Sequence, residues 1–144
     1  MNLPVDIKSA ILCDDIRRED NGKMLFIGVY VGEILVAEFP VALRLTWVLF
    51  GKHQKTASHD MEFRVSYDTH TEKPKSLQAR TATDPALDDQ AEVSLILPNA
   101  VLTFQEPTAL TVSVKEGDQW RDILTKKVVL RPPAAGSHVL SQPS

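Results

Sequence analysis

Apolar and polar side chains alternate along much of this chain. From Asp60 to Asp68, Met61, Phe63, Val65 and Tyr67 fall on one side, and Glu62, Arg64 and Ser66 on the other. That is the period of a strand with one face in a core and one in water. Leu43, Leu45, Trp47 and Leu49 oppose Arg44, Thr46 and Val48 in the same way. Leu110 to Val114 repeats the pattern, and so does Val93 to Leu97 apart from Ile96. Met24 to Val31 is apolar on both faces, which predicts a central strand covered on each side. Gly28 within it marks a bulge or a close approach.

Turn residues punctuate these runs. Asn21-Gly22 predicts a two-residue hairpin loop, because a type I′ turn needs positive φ at both central positions. That loop would set Asp20 opposite Lys23, Arg17 opposite Phe26 and Cys13 opposite Tyr30, with Asp14–Glu19 as the arm leading in. Glu116-Gly117-Asp118-Gln119 predicts a second hairpin. The expected strands, eight or nine in all, cover about 6–13, 23–31, 33–37, 43–51, 60–68, 76–82, 91–97, 109–116 and 120–130. The fold class expected is all-β: a two-sheet antiparallel β-sandwich, immunoglobulin-like or similar. Asp84–Gln90 reads as a loop or a single helical turn. Residues 1–131 form one domain in this reading. The segment from Pro132 to Ser144, rich in Pro, Ala, Ser and Gly, reads as a disordered, flexible tail.

Size and composition agree with one ordinary core. The chain has 144 residues, 43% of them apolar and 24% charged, and a domain of this length can bury roughly 68–70% of its unfolded surface. The net charge of −3, with Lys and Arg scattered, argues against a nucleic-acid partner, which a basic face would serve. The lone Cys13 forbids an intrachain disulfide and fits a reducing compartment. Met1 to Asp6 lacks the basic start and apolar stretch of a signal peptide. No run approaches the ~20 apolar residues of a membrane helix. A cytoplasmic chain without membrane contact is expected.

The stretch Cys13 to Lys23 is the most unusual one, carrying Asp14, Asp15, Arg17, Arg18, Glu19, Asp20 and Lys23 beside a very apolar run. It reads either as a solvated hairpin with cross-strand charge pairs or as a recognition surface. Asp14, Asp15, Arg17, Arg18, Glu19 and Lys23 are the candidate binding residues. Asp14 and Arg17, nearest the core, are expected to be partly buried.

Other chemistry has weaker support. Asp14, Asp15 and Asp20 near one turn, and Asp84, Asp88 and Asp89 near another, would bind calcium only if the two groups converged. His53, His59, His70 and His138 lack paired zinc spacing and read as exposed loop histidines. No Gly-x-Ser-x-Gly, Cys-x-x-Cys or His-Glu-x-x-His occurs, and Gly28 with Gly32 makes no phosphate loop. Cys13 reads as a small buried hydrophobe rather than half of a Cys–His pair. Trp47 and Trp120 read as core or edge anchors. No catalytic residue, metal site or cofactor is expected.

Asp14 or Asp15, Arg17 or Arg18, Glu19, Gly22 and Lys23 follow an Asp-x-x-Arg-x-Glu-x-x-Gly-Lys pattern. It runs into Ile27-Gly28-Val29-Tyr30 and later Phe39-Pro40. Over roughly its first fifty residues the chain resembles a family of short bacterial proteins of unknown function. That resemblance implies a small bacterial cytosolic protein, and carries no activity, cofactor or catalytic residue to transfer. The function expected is therefore a non-enzymatic protein-binding or assembly module. It would contact a protein partner, or a second copy in a homodimer, through the charged hairpin and unpaired strand edges. The alternative is a small-molecule- or calcium-binding β-sandwich domain.

Overall fold

The longest alternating runs supply the centre of the molecule. The structure, a computed structural model, describes residues 3–56, 58–67, 75–97 and 100–132. The expected tail lies outside the described residues except for Pro132, as do His70 and His138. Among the described residues there are eleven strands and no helix. In order they are β1 (Val5–Cys13), β2 (Asp15–Arg18), β3 (Met24–Ile27), β4 (Ile34–Val36), β5 (Val41–His53), β6 (Asp60–Tyr67), β7 (Lys75–Ala82), β8 (Glu92–Ile96), β9 (Ala100–Phe104), β10 (Thr108–Glu116) and β11 (Gln119–Leu130).

The chain is all-β, with more strands than the eight or nine expected. One sheet runs β1-β5-β8, with β9 also paired to β5; a second runs β4-β11-β10-β6-β7; and β2 and β3 form a two-stranded sheet of their own. β8 and β9 lie along the same side of β5. β8 pairs Val48 with Ile96, and β9 pairs Leu45 with Ala100. Between these two pairings the Leu97 N–H donates to the Trp47 carbonyl at 3.0 Å.

Alternation selects which side chains enter the core. Leu12, Leu45, Trp47 and Leu49 from the first sheet share one buried cluster with Phe63, Tyr67, Leu110, Val112 and Val128 from the second. Tyr67 on β6 and Phe104 on β9 tie the sheets directly, their ring centroids 4.9 Å apart. Each fully buried Phe or Leu here is worth about 1.5–3 kcal/mol of transfer free energy. A tight reversal joins β10 to β11, where Glu116 faces Gln119 across Gly117-Asp118 as the sequence predicts.

Two expectations about the apolar runs need correction. Met24–Val31 is not a central strand: β3 ends at Ile27, and Leu25, Ile27, Val29 and Val31 are exposed. The strand covered on both faces is β5, where Leu45 to Leu49 are all buried. Leu45, Trp47 and Leu49 face the main core. Thr46, Val48 and Phe50 point the other way, toward the β2–β3 hairpin, and Phe26 meets Phe50 edge-on at 5.8 Å. Cys13 and Ile11, opposite Thr46 and Val48 on β1, share that second face. A short apolar run thus serves as a cover for a strand instead of being covered itself.

Candidate functional site

The hairpin forms because Gly22 can adopt a backbone that other residues avoid. Glu19 and Lys23 close the turn, the Glu19 N–H donating to the Lys23 carbonyl at 2.8 Å and the Gly22 N–H to the Glu19 carbonyl at 3.0 Å. Gly22 has φ of 84°, whereas Asn21 stays out of the left-handed region. That geometry is a three-residue loop with its glycine at the left-handed position, not the two-residue type I′ turn expected. The register accordingly differs by one: Asp15 faces Ile27, Ile16 faces Phe26, Arg17 faces Leu25 and Arg18 faces Met24. Period two then sends Ile16, Phe26 and Met24 toward β5. Asp15, Arg17, Leu25 and Ile27 are left on the outer face.

The base of the hairpin is fixed by Asp14, Gly28 and Tyr30. The Tyr30 hydroxyl donates to the Asp14 carboxylate at 2.5 Å. The Asp14 N–H reaches the Ile27 and Gly28 carbonyls at 3.0 and 3.2 Å, and the Tyr30 N–H donates to the Leu12 carbonyl at 2.9 Å. Gly28 has φ of 68°, and a Cβ there would stand 2.3 Å from an Asp14 carboxylate oxygen. The close approach that Gly28 signals in the sequence is therefore that of Asp14. Burial and the hydrogen bond to the Asp14 carboxylate push the Tyr30 phenol well above its usual value. Burial, joined by the Asp14 charge, raises the Cys13 thiol. A protonated thiol under a hairpin is a poor nucleophile.

The candidate binding residues divide into two groups. Asp14, Glu19 and Lys23 shape the hairpin: Asp14 at its base, the other two at its turn, with the Lys23 N–H donating to Asn21 Oδ1 at 3.1 Å. Asp15, Arg17 and Arg18 lie on β2 and are exposed. Asp15 and Arg17 form a loose pair at 4.0 Å, and the Asp15 carboxylate accepts from the Ile16 N–H at 2.8 Å. The expectation that Asp14 and Arg17 are partly buried fails, since both are exposed and the Arg17 side chain retains 72% of its surface. The arm stands off the first sheet on the side chains of Ile16 and Phe26, so only the apolar positions between the charges are covered.

The two acidic groups proposed for calcium lie at opposite ends of the β1–β5 ladder. Asp14 follows Cys13, whereas the Asp88 carbonyl meets His53 Nδ1 at 3.2 Å, and His53 pairs with Val5 at the far end. Eight residues of strand separate the ends, roughly 27 Å. The same separation keeps Cys13 away from His53. Among the described residues no group of three or more His, Cys, Asp or Glu side chains is placed to hold a metal. His53 is not the exposed loop histidine expected: it ends β5 and is fully buried, with Nε2 unpartnered.

Sequence reasoning also missed a polar cluster on the outer face of the second sheet. Arg64 lies 4.4 Å over the Trp120 ring, a cation–π contact. Ser113 donates to Asp122 at 2.8 Å, and Glu62 sits between Arg80 and Lys115. Alternation places Glu62, Arg64 and Ser113 outward, but only the β6–β10–β11 register brings them beside Trp120 and Asp122.

No protein-family model and no curated protein matches this chain. Among the described residues no helix is long and apolar enough to cross a membrane.

Proposed function

We propose that the chain is a non-enzymatic assembly module that self-associates through the outer face of the β2–β3 hairpin. The two larger sheets, which share one buried cluster, are read as the layers of a β-sandwich that carries it. One observation supports the reading above the others. Leu25 and Ile27, 48% and 37% exposed, share that outer face with Arg17 and Asp15. Aliphatic surface ringed by charge is the composition of a protein contact, not of a solvated turn.

A second copy is the partner this face suits. Asp15 and Arg17 are two residues apart on one strand, so an antiparallel twofold contact sets Asp15 of each copy against Arg17 of the other. Such an isologous contact is self-complementary. Val29 and Val31, also exposed, extend the aliphatic surface beyond the hairpin. The cytoplasmic reading from the lone cysteine and the resemblance to bacterial proteins agree with an internal assembly role.

Sedimentation equilibrium across a concentration series tests this. Wild type is expected to dimerise, and Leu25→Asp to remain monomeric with an unchanged melting temperature. Asp15→Arg and Arg17→Asp should each weaken the dimer by about tenfold or more, whereas mixing the two restores association by pairing opposite signs. A wild type that stays monomeric throughout the series, or a mixture no tighter than either variant alone, removes the proposal.

A further inference from the structure

Away from the hairpin, the two larger sheets are not in contact across their full width. A cavity of about 430 Å³ lies between β6 and β7 on one side and β5 and β9 on the other, within the roughly 300–1,000 Å³ of small-molecule sites. Trp47, Phe63, Val65, Leu77, Ala79 and Leu102 form most of its wall. Leu77 and Ala79 pair with Val65 and Phe63, so both belong to the core-facing side of their sheet. Leu77 is nevertheless 46% exposed. A core-facing leucine in contact with water is apolar area that an occupant would cover, at about 25 cal/mol per Å².

Charge narrows the class of occupant. The polar residues of the wall are Gln78 and Arg80. Nε and Nη2 of Arg80 both donate to Glu62 Oε1, which lies on the outward-facing side of β6. Arg80 therefore offers the cavity its methylene stem rather than its charge. A carboxylate or phosphate entering here would have to compete with Glu62 for the guanidinium while losing its own hydration. Gln78 pairs with Arg64, an outward-facing position of β6, so its amide too is directed away from the cavity. We propose that this cavity binds a small, neutral, largely apolar molecule carrying at most one or two hydrogen-bonding groups. The site is independent of the hairpin contact.

Trp47 makes the site observable. The chain has two tryptophans, so Trp120→Phe leaves Trp47, in the cavity wall, as the sole reporter. Titration of that variant with the neutral dye phenylnaphthylamine is expected to show saturable energy transfer from Trp47, reversed by decanol and far less by decanoate. Ala79→Leu, which fills the cavity, should weaken dye binding by about tenfold or more. Leu77→Asp, at a half-exposed position on an edge strand where folding is tolerant, should do the same by placing a charge at the mouth. Leu25→Asp should leave dye binding unchanged. Non-saturable binding, undiminished dye affinity in both cavity variants, or displacement by decanoate as effective as by decanol would each overturn the assignment.

Discussion

Asp14, Gly28 and Tyr30 act as one unit although the sequence separates them. The aspartate carboxylate occupies the space that any side chain at position 28 would need, and the tyrosine hydroxyl holds it there. Part of the pattern that sets this chain apart in sequence is thus architecture for the hairpin. Tyr30→Phe removes the hydroxyl alone. A hydrogen bond to a charged acceptor is worth about 1.5–3 kcal/mol, but partial exposure of this pair reduces the expected cost to about 1 kcal/mol. The pH dependence follows from the raised phenol. Above about pH 10 the unfolded chain releases the Tyr30 proton while the folded chain retains it, so wild-type stability falls as pH rises. The stability gap between wild type and Tyr30→Phe should be constant below that range and narrow through it. Urea unfolding of both proteins at neutral and alkaline pH measures the gap; a gap that widens with pH would contradict the assignment. Gly28→Ala should cost more, because the added methyl meets the carboxylate and the backbone is left-handed.

As an element, the hairpin rests on the first sheet through few contacts, Phe26 on Phe50 foremost. Phe26→Ala should therefore loosen it without unfolding the rest. Amide exchange at Asp14 and Glu19, whose N–H groups bond across the hairpin, should accelerate, while Val48 and Leu49 keep their protection. Equal acceleration at all four sites would mean that the hairpin is part of the global cooperative unit. The strands of the main sheets were legible because alternation is a local property: Met61, Phe63 and Tyr67 are inward as their spacing requires. The hairpin was half legible. Its location follows from Asn21-Gly22, but its register depends on which residues take positive φ, and two loop geometries accept those residues. β9 was missed because its partner, Val41–Leu45, lies about sixty positions earlier, and no nearby residue records that pairing. Exposure of Leu25 and Ile27 was missed for a related reason, since an apolar run looks the same whether it is buried or awaiting a partner.

The whole molecule is closed by pairings between distant parts of the chain. β1 pairs with β5, and β4 lies parallel to the end of β11, Ile34 opposite Val128. Neither larger sheet can be completed from a contiguous segment, so the core forms cooperatively and its defects are felt everywhere. The hairpin surface and the core should then respond differently to the same chemical change. Leu110 is fully buried at the centre of the second sheet, between β6 and β11. Leu110→Ala leaves a cavity and should cost about 2–5 kcal/mol, a large share of the roughly 5–15 kcal/mol that holds a domain together. Leu25→Ala removes the same atoms from a half-exposed position and should cost less than about 0.5 kcal/mol, while weakening self-association. Denaturant unfolding and sedimentation of both variants give opposite rankings if the hairpin face is a contact surface: Leu110→Ala worse for folding, Leu25→Ala worse for assembly at equal folded fraction. If Leu25→Ala instead destabilises the monomer as much as Leu110→Ala does, its side chain is part of the core's cooperative unit, and the hairpin is structural cover rather than an interface.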